Sequence, residues 1–455
     1  MEKIKNNLFL FIVITVFGIF AVFVFRYYQV SKKKANIILL IIDCLRADHL
    51  GCYGYARDTS PHIDKLAQEG VLFSNVFSQA GYTTASIPSI FTSKFPLSHG
   101  VWLPAKHKLS DEEITLAEIL KDNGYNTAAF TGGGFTSHLY GFDQGFDLYQ
   151  EVEWGDIKEI NNLVFNWLEQ NQNKEKPFFL FLHCYTVHEP FNPPEPFASM
   201  YTSNYQGQFK GARLDSVLFE KIRKKPLDYN SEDIDYIISQ YDGGIRYYDE
   251  NIGELLKKIE GLKLFSNTIV ILTSDHGQDF MEHGTISHRD IYDVGIHVPL
   301  IVRTPYLLPN NKKINALVRS IDIFPTILDM VALLGKNDIA IEGNSLLPAM
   351  LGQNVRKEHP VYSLGADNDN RGRISLRTRN WKLIATRKKN EYELYNLKND
   401  PGELINLVST EKEQFKVLKQ KLDNYIKQSK SPIKKTKVIL DEETKERLKS
   451  LGYLQ

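Results

Sequence analysis

Two stretches decide how this chain folds: Ile37-Ile38-Leu39-Leu40-Ile41-Ile42-Asp43 and Thr268-Ile269-Val270-Ile271-Leu272-Thr273-Ser274-Asp275-His276-Gly277. Each opens with a short apolar run unbroken by charge, the pattern of a strand buried on both faces of a parallel sheet. A third run, Phe178–Leu182, ends in His183. Between these runs the apolar period becomes helical, as at Ile157, Ile160, Val164, Trp167 and Leu168, and again from about Ile237 to Ile259. Ser110-Asp111-Glu112-Glu113 reads as a capping box opening a helix through Ile114, Ala117, Ile119 and Leu120, with a strand at Tyr125–Phe130 beyond it. Strands alternating with helices predict an α/β fold, a central mostly parallel sheet flanked by helices.

The texture changes after about residue 345. Pro360–Gly365, Ile374–Arg377, Trp381–Thr386 and Glu393–Leu397 read as short strands separated by polar turns, a small antiparallel sheet followed by a Lys-rich helical tail. The expected organisation is therefore an anchor and linker over 1–35, a catalytic domain over 36–345 and a smaller C-terminal subdomain over 346–455. The anchor is Leu8 to Phe25, an uncharged run followed by Tyr27 and Tyr28 and by no small-residue cleavage pattern, so an uncleaved transmembrane helix is expected. Lys3 and Lys5 precede it while Arg26, Lys32, Lys33 and Lys34 follow, a bias that by itself would place the bulk of the chain in the cytoplasm.

Composition excludes more than it suggests. The 55 acidic residues equal the 55 basic ones, which gives no support to a nucleic-acid partner. Cys44, Cys52 and Cys184 are too few and too scattered for a disulfide framework, and no C-x-x-C pair marks a zinc site. They read as small core residues.

Ligands of open parallel sheets bind beyond the carboxyl ends of the strands. Asp43, Asp275 and His276 follow two of the apolar runs; His183 ends the third, with His188 five residues on. Carboxylates and imidazoles converging on one edge suit a divalent cation, although a polar residue at a strand end often serves only the local turn.

At these residues the chain resembles the sulfatase family of the alkaline-phosphatase superfamily. Asp43-Cys44-Leu45-Arg46-Ala47-Asp48-His49 is similar to the family's opening motif, His188-Glu189-Pro190-Phe191-Asn192-Pro193-Pro194 to its H-x-P-Y-x-P-P, and Tyr241-Asp242 through Asp249 to its Y-D-x-x-I-R-Y-x-D helix. Ser274-Asp275-His276-Gly277, Glu282-His283-Gly284, His297-Val298-Pro299-Leu300-Ile301, Asp322-Ile323-Phe324-Pro325-Thr326 and Gly343-Asn344-Ser345-Leu346-Leu347-Pro348 match later landmarks in order. Glu393-Leu394-Tyr395-Asn396-Leu397 through Pro401 resembles the C-terminal E-L-Y-D-L-x-x-D-P, and Leu448 to Leu454 is also similar to the family's terminus. The resemblance spans residues 36 to 455 and implies an alkaline-phosphatase-like fold.

It implies one divalent cation (Ca2+, Mn2+, Mg2+ or Zn2+) held by Asp43, Asp275, His276 and the nucleophile. The nucleophile segment departs from the family's C-x-P-S-R, whose cysteine or serine becomes formylglycine. Counting back from Thr92-Ser93-Lys94-Phe95-Pro96, similar to T-G-R-Y-P, puts Thr83 at the nucleophile and Ile87 at the arginine. A competing register uses Ser86-Ile87-Pro88-Ser89. Thr83 is also the kind of residue that commonly caps a helix. The sulfate-clasping G-K-W-H-x-G is missing too, because Gly124-Tyr125-Asn126-Thr127 leads to Phe130-Thr131-Gly132-Gly133-Gly134-Phe135, with only His138 nearby.

The expectation is a metal-dependent sulfatase-family hydrolase of sulfate or phosphate esters working through Thr83, with His188 and His288 as further catalytic groups and His188, His283 and Lys94 as substrate contacts. Arg46, Asp48 and His49 are expected to brace the first loop. Thr83 tips the choice towards phosphorus. The alternatives are a membrane-bound phosphoethanolamine- or phosphoglycerol-type transferase using a phospho-threonine intermediate, and a catalytically inactive binding protein. The resemblance places the catalytic domain outside the cytoplasm, against the lysine bias.

Overall fold

The computed structural model describes residues 34–438 apart from 104, 153–154, 172–174, 203, 225–228, 306–310, 337–338, 354–357, 366–371 and 430–435, together with residues 442 and 445. The apolar run Leu8–Phe25 and the Leu448–Leu454 motif lie outside these residues; among the described residues no helix is long and apolar enough to cross a membrane.

Eight strands form the main sheet: Asn36–Ile42 (β1), Val71–Phe77 (β2), Asn126–Thr131 (β3), Leu148–Glu151 (β4), Phe178–Cys184 (β5), Thr268–Ser274 (β6), His297–Arg303 (β7) and Lys312–Arg319 (β8). Their spatial order is β8-β2-β7-β6-β1-β5-β3-β4. The three apolar runs are the centre, with β1 parallel to both β5 and β6 and all three strands buried along their whole length. The sheet is mixed rather than parallel throughout. β7 runs antiparallel to β6 and to β2, and its register against β2 slips between Val298 and Leu300, where Pro299 has no amide hydrogen to give the ladder.

Alternation along β1 sends Ile37, Leu39 and Ile41 to one face and Ile38, Leu40 and Ile42 to the other. The first face is covered by Thr83–Thr92 (α2), Leu116–Asp122 (α3) and Ile323–Met330 (α6); the second by Pro61–Gln68 (α1), Ile157–Asn171 (α4) and Ser231–Gly261 (α5). The cap of α3 is not Ser110. Thr115 accepts from the Glu118 amide at 3.2 Å while Glu118 accepts from the Thr115 amide at 2.8 Å, a reciprocal box five residues later than the sequence suggested. Glu113, the expected partner of Ser110, is buried in an ion pair with Lys94, and Ile114 stays exposed outside the helix.

Val361–Leu364 (β9), Arg373–Arg377 (β10), Trp381–Thr386 (β11) and Glu391–Asn396 (β12) make the antiparallel C-terminal sheet. Leu418, Leu422 and Tyr425 of Lys412–Gln428 (α7) pack on Ile374, Leu376, Leu383 and Leu394. This sheet grips the loop that runs into β7. Arg373 pairs with Asp290, Arg377 with Asp293 at 3.0 Å, and Lys382 with both Asp293 and Glu403 at 2.8 Å. Lys382 is wholly buried. Removing its charge strands a buried carboxylate, which typically costs about 3–5 kcal/mol. Lys382→Met should therefore lower stability by about that amount in chemical denaturation; a loss under about 1 kcal/mol would mean the pair is dispensable.

Candidate active site

Parity along the sheet builds the site. Phe179 and Phe181 of β5, and Ile269 and Ile271 of β6, share the α2 side of the sheet with Ile37, Leu39 and Ile41. Two-residue alternation carried forward puts His183, Asp275 and Asp43 on that same side. Register does the rest. Ile42 lies beside Ser274, which sets Asp43 level with Asp275, while His183 lies beside Ile41, two residues lower on the same face, and reaches up to both carboxylates. Ser274 Oγ holds the strand ends together, accepting from the Leu45 amide at 3.0 Å and lying 2.6 Å from the Ile42 carbonyl.

Thr83 opens α2 from above. The cap position is Tyr82, with extended backbone and no side-chain cap, so the Thr83 hydroxyl is not spent on its own helix. Its Oγ1 lies 3.4 Å from Asp43 Oδ2 and 3.2 Å from His276 Nε2. Ser86, the competing nucleophile, turns back to the carbonyls of Tyr82 and Thr83 at 3.1 and 3.3 Å. Ile87 is fully buried in the apolar core. Thr83 stands at the positive end of α2, and a helix N-terminus is a favourable place for an anion.

The electrostatics call for a cation. Asp43 and Asp275 are both fully buried, and no lysine or arginine pairs with either among the described residues. Burial, and then the charge of Asp275, push Asp43 well above the usual carboxylate range. Asp275 is held at about 2 against burial by His276, by His183 and by the Thr83 hydroxyl. Asp43 Oδ1, Asp275 Oδ2 and both ring nitrogens of His183 are buried with no hydrogen-bond partner. Donor atoms of Asp43, His183 and Asp275 lie within 4.8 Å of one another. His276 Nδ1 donates to the Gly277 carbonyl at 3.0 Å, leaving Nε2 as the lone pair facing Asp43 Oδ1 and Asp275 Oδ2, each 3.5 Å away. Two dehydrated carboxylates without a counter-charge cost several kcal/mol. A divalent ion at this point meets that demand, and the donor set suits one.

The glycine turn after β3 is closed by Tyr185. Tyr185 OH donates to the Gly133 carbonyl at 3.0 Å and accepts from the Phe135 amide at 2.9 Å. A Cβ on Gly132 would lie 2.5 Å from the Tyr185 ring, so only glycine fits there. The Tyr185 ring packs edge-on against both His183 and His188. His188 in turn lies against His288, with centroids 4.6 Å apart, and His288 stacks on His276 at 5.2 Å. Burial pushes His188 down to about 3 and His288 well below the usual imidazole value.

Asp43, Thr83, His183, His188, Asp275, His276 and His288 thus come together, joined by one residue that sequence reasoning left out of the site. His183, expected from its place at the end of an apolar run, arrives on the cation side by its parity on β5. Cys44 had been read as core packing; its Sγ lies 3.8 Å from His276 Nδ1. Lys94 and His283 are held elsewhere. Lys94 pairs with Glu113 at 2.6 Å beyond the far end of α2, and ten helical residues span roughly 15 Å. His283 stacks on Tyr292 with centroids 3.5 Å apart, beside the C-terminal sheet. His138 is taken by Glu151 at 2.6 Å. Arg46 binds Asp48 and Glu282, and His49 binds Asp242 at 2.7 Å, so these residues brace the first loop.

Comparison with known proteins matches residues 35–333 to a family model described as sulfatase, and residues 281–431 to one described as N-sulphoglucosamine sulphohydrolase, C-terminal. An N-acetylglucosamine-6-O-sulfatase of Bacteroides thetaiotaomicron is 26% identical over 470 residues, covering 83% of this chain and 83% of that protein. Arylsulfatase K of Canis lupus familiaris is 28% identical over 448 residues, covering 86% and 82%. Among solved structures, one in complex with its substrate D-glucosamine-2-N,6-O-disulfate superposes with a TM-score of 0.73 at 23% identity, covering 88% of this chain and 98% of that one. A phosphonate monoester hydrolase of Agrobacterium radiobacter superposes with a TM-score of 0.71 at 20% identity, covering 87% and 95%.

Proposed function

The chain belongs to the sulfatase family and is a sulfuric ester hydrolase, and from that premise we propose that it cleaves sulfate esters of sugars with Thr83, rather than a formylglycine, as nucleophile. The observation that carries this reading is the Thr83 hydroxyl, uncommitted to its own helix and held between Asp43 Oδ2 and His276 Nε2. Asp43, Asp275, His276 and His183 would hold the divalent cation beside it. When bound, such an ion acidifies the hydroxyl and offsets charge on the ester oxygens. Thr83 Oγ gives up its proton to Asp43 and attacks sulfur, forming a threonine sulfate ester as the bond to the sugar oxygen breaks and that oxygen leaves as the alcohol, its proton delivered from the side lined by His188 and His288; water then hydrolyses the ester, releasing sulfate and a proton and restoring the hydroxyl. Asp43 Oδ2, 3.4 Å from Thr83 Oγ1, is within reach of the hydroxyl proton. The α2 N-terminus faces the anion, and His188 and His288 line the site beside His276.

Sugar sulfates are favoured by the relatives, one an N-acetylglucosamine-6-O-sulfatase and one solved with a doubly sulfated glucosamine. A second reading, phosphate or phosphonate ester cleavage, is favoured by Thr83 itself, because a threonine phosphate is a familiar covalent intermediate and the G-K-W-H-x-G lysine and histidine are absent from the turn after β3. Initial rates on matched aryl sulfate, phosphate monoester and phosphodiester substrates decide between them. The sulfate should be cleaved at least tenfold faster; the reverse order would transfer the assignment to phosphorus. The run Leu8–Phe25 is proposed to tether the enzyme, with the catalytic part outside the cytoplasm. Protease added to intact cells should then digest it, and full protection would refute that orientation.

A further inference from the structure

Beside β8, the outermost strand of the main sheet, the β10–β11 hairpin and α7 enclose a cavity of about 320 Å3. Glu358, Pro360, Arg379, Asn380, Trp381 and Lys421 line it. We propose that this cavity is an accessory binding site for a sulfated sugar chain, with one ring stacked on Trp381 and its sulfate oxygens against Arg379 and Lys421. The inference extends the reading of sugar sulfates as substrates given above and rests on it.

The cavity is set apart from the reacting centre. β9 connects the two, since Leu364 at its end bridges to Ala80, three residues before Thr83, while Pro360 just before its start lines the cavity. Four extended residues cover roughly 13 Å. A single sugar held at Thr83 does not reach that far, whereas an oligosaccharide does.

The lining is rich in uncommitted donors. Glu358, its one carboxylate, is spent on Arg379, whose Nε donates to both oxygens at 2.9 and 3.0 Å. Arg379 Nη2 also donates to the Asn315 carbonyl of β8 at 2.8 Å. These bonds fix the guanidinium plane and leave the N–H groups of Nη1 without a partner among the described residues. Among the same residues the Lys421 ammonium, the Asn380 side-chain amide and the Trp381 indole N–H have no partner either. Glu358 and Arg379 offset each other, so Lys421 leaves the lining positive. Fixed donors with a positive charge select an anionic acceptor, and the outer oxygens of a sulfate ester only accept.

Trp381 supplies the apolar half. Thr378 pins its backbone, with Oγ1 accepting from the Trp381 amide at 3.2 Å and the Thr378 amide donating to the Trp381 carbonyl at 2.8 Å. The half-buried ring packs on the core of the C-terminal sheet and lines the cavity with what remains. An indole offers an apolar face to the C–H groups of a sugar ring and an N–H to its oxygens. The volume lies at the small end of the range for ligand pockets, which suits one ring. Holding a polymer here makes the approach of its sulfate esters to Thr83 intramolecular, which raises affinity with no new contact at the reacting centre.

The test is calorimetric binding of a heparin hexasaccharide to the full-length Thr83→Ala protein, which holds the probe without consuming it. Adding Trp381→Leu should weaken binding by about tenfold or more, as loss of an aromatic anchor does. Adding Lys421→Gln should weaken it by about threefold, the scale of one exposed charge pair. Melting curves show which variants are folded, and either one suffices for the test. Unchanged affinity in a folded Trp381→Leu protein overturns the site. Polyphosphate binding as tightly as the hexasaccharide would overturn it too, because charge alone would then recognise the ligand. These affinities do not depend on turnover, so a wild-type enzyme that leaves sugar sulfates intact refutes the substrate reading separately.

Discussion

Thr83→Ala should abolish turnover, lowering kcat by on the order of 10^4 to 10^6, as loss of a nucleophile does where no neighbour can substitute. The nearest candidate, Ser86, directs its hydroxyl to the carbonyls of its own helix and lies a turn away from Asp43 and His276. Folding should be little affected, because the threonine caps nothing and alanine suits the first turn of a helix. The measurement is twofold. Steady-state rates on an aryl sulfate give the loss, and mass spectrometry of acid-quenched wild type should find the sulfo group on the peptide containing Thr83. Wild-type rates in the alanine variant would remove Thr83 from the mechanism, and an adduct on Ser86 would move the register by three residues.

Asp43→Asn should have effects of opposite sign with and without metal. In the metal-free protein, burial and Asp275 hold the Asp43 carboxyl above its usual range, so its charged form is disfavoured by folding at neutral pH. A neutral amide of the same shape relieves that penalty, and the metal-free variant should be more stable than wild type by at least about 1 kcal/mol, the low end of what exchanging buried ionic groups for uncharged ones returns. With metal the order reverses. Loss of an anionic ligand should weaken binding by on the order of 100-fold or more, and the stabilisation by saturating metal falls by about 2.7 kcal/mol for each such factor. Melting curves of both proteins, in chelator and in excess Zn2+ or Mn2+, read the crossing directly. Parallel shifts in both conditions would show that Asp43 is not a ligand.

The centre of the molecule was legible because burial on both faces leaves its mark on sequence. β1, β5 and β6 are apolar without interruption, and the residue types at their ends announced Asp43, Asp275 and His276. Strands written in mixed texture escaped notice. β2 contains Ser74 and Asn75, β8 alternates half-buried positions with exposed Lys313 and Asn315 before its buried end, and β4 is an edge strand with no fully buried residue. The antiparallel insertion of β7 could not be read from local pattern at all, since direction is decided by which neighbours are in place. The helix start at Thr115 was missed because Ser110 satisfies the same sequence rule, and only tertiary pairing of Glu113 with Lys94 shows which box forms. Cys44 was undervalued for a related reason. A single cysteine after an apolar run says little until strand order puts it beside a histidine and a carboxylate.

That strand order carries a consequence for how the protein is made. Asp43 and His276 meet across 233 positions of chain, and Thr83 comes from a helix on the far side of the β2 crossover. No fragment shorter than most of the domain presents the chelate, so a growing or collapsed chain has nothing with which to capture an ion. A divalent ion held by the proposed ligands would therefore find its site only after the three central strands have paired, so apolar burial would drive that long-range assembly and the ion would act afterwards, by retarding unfolding.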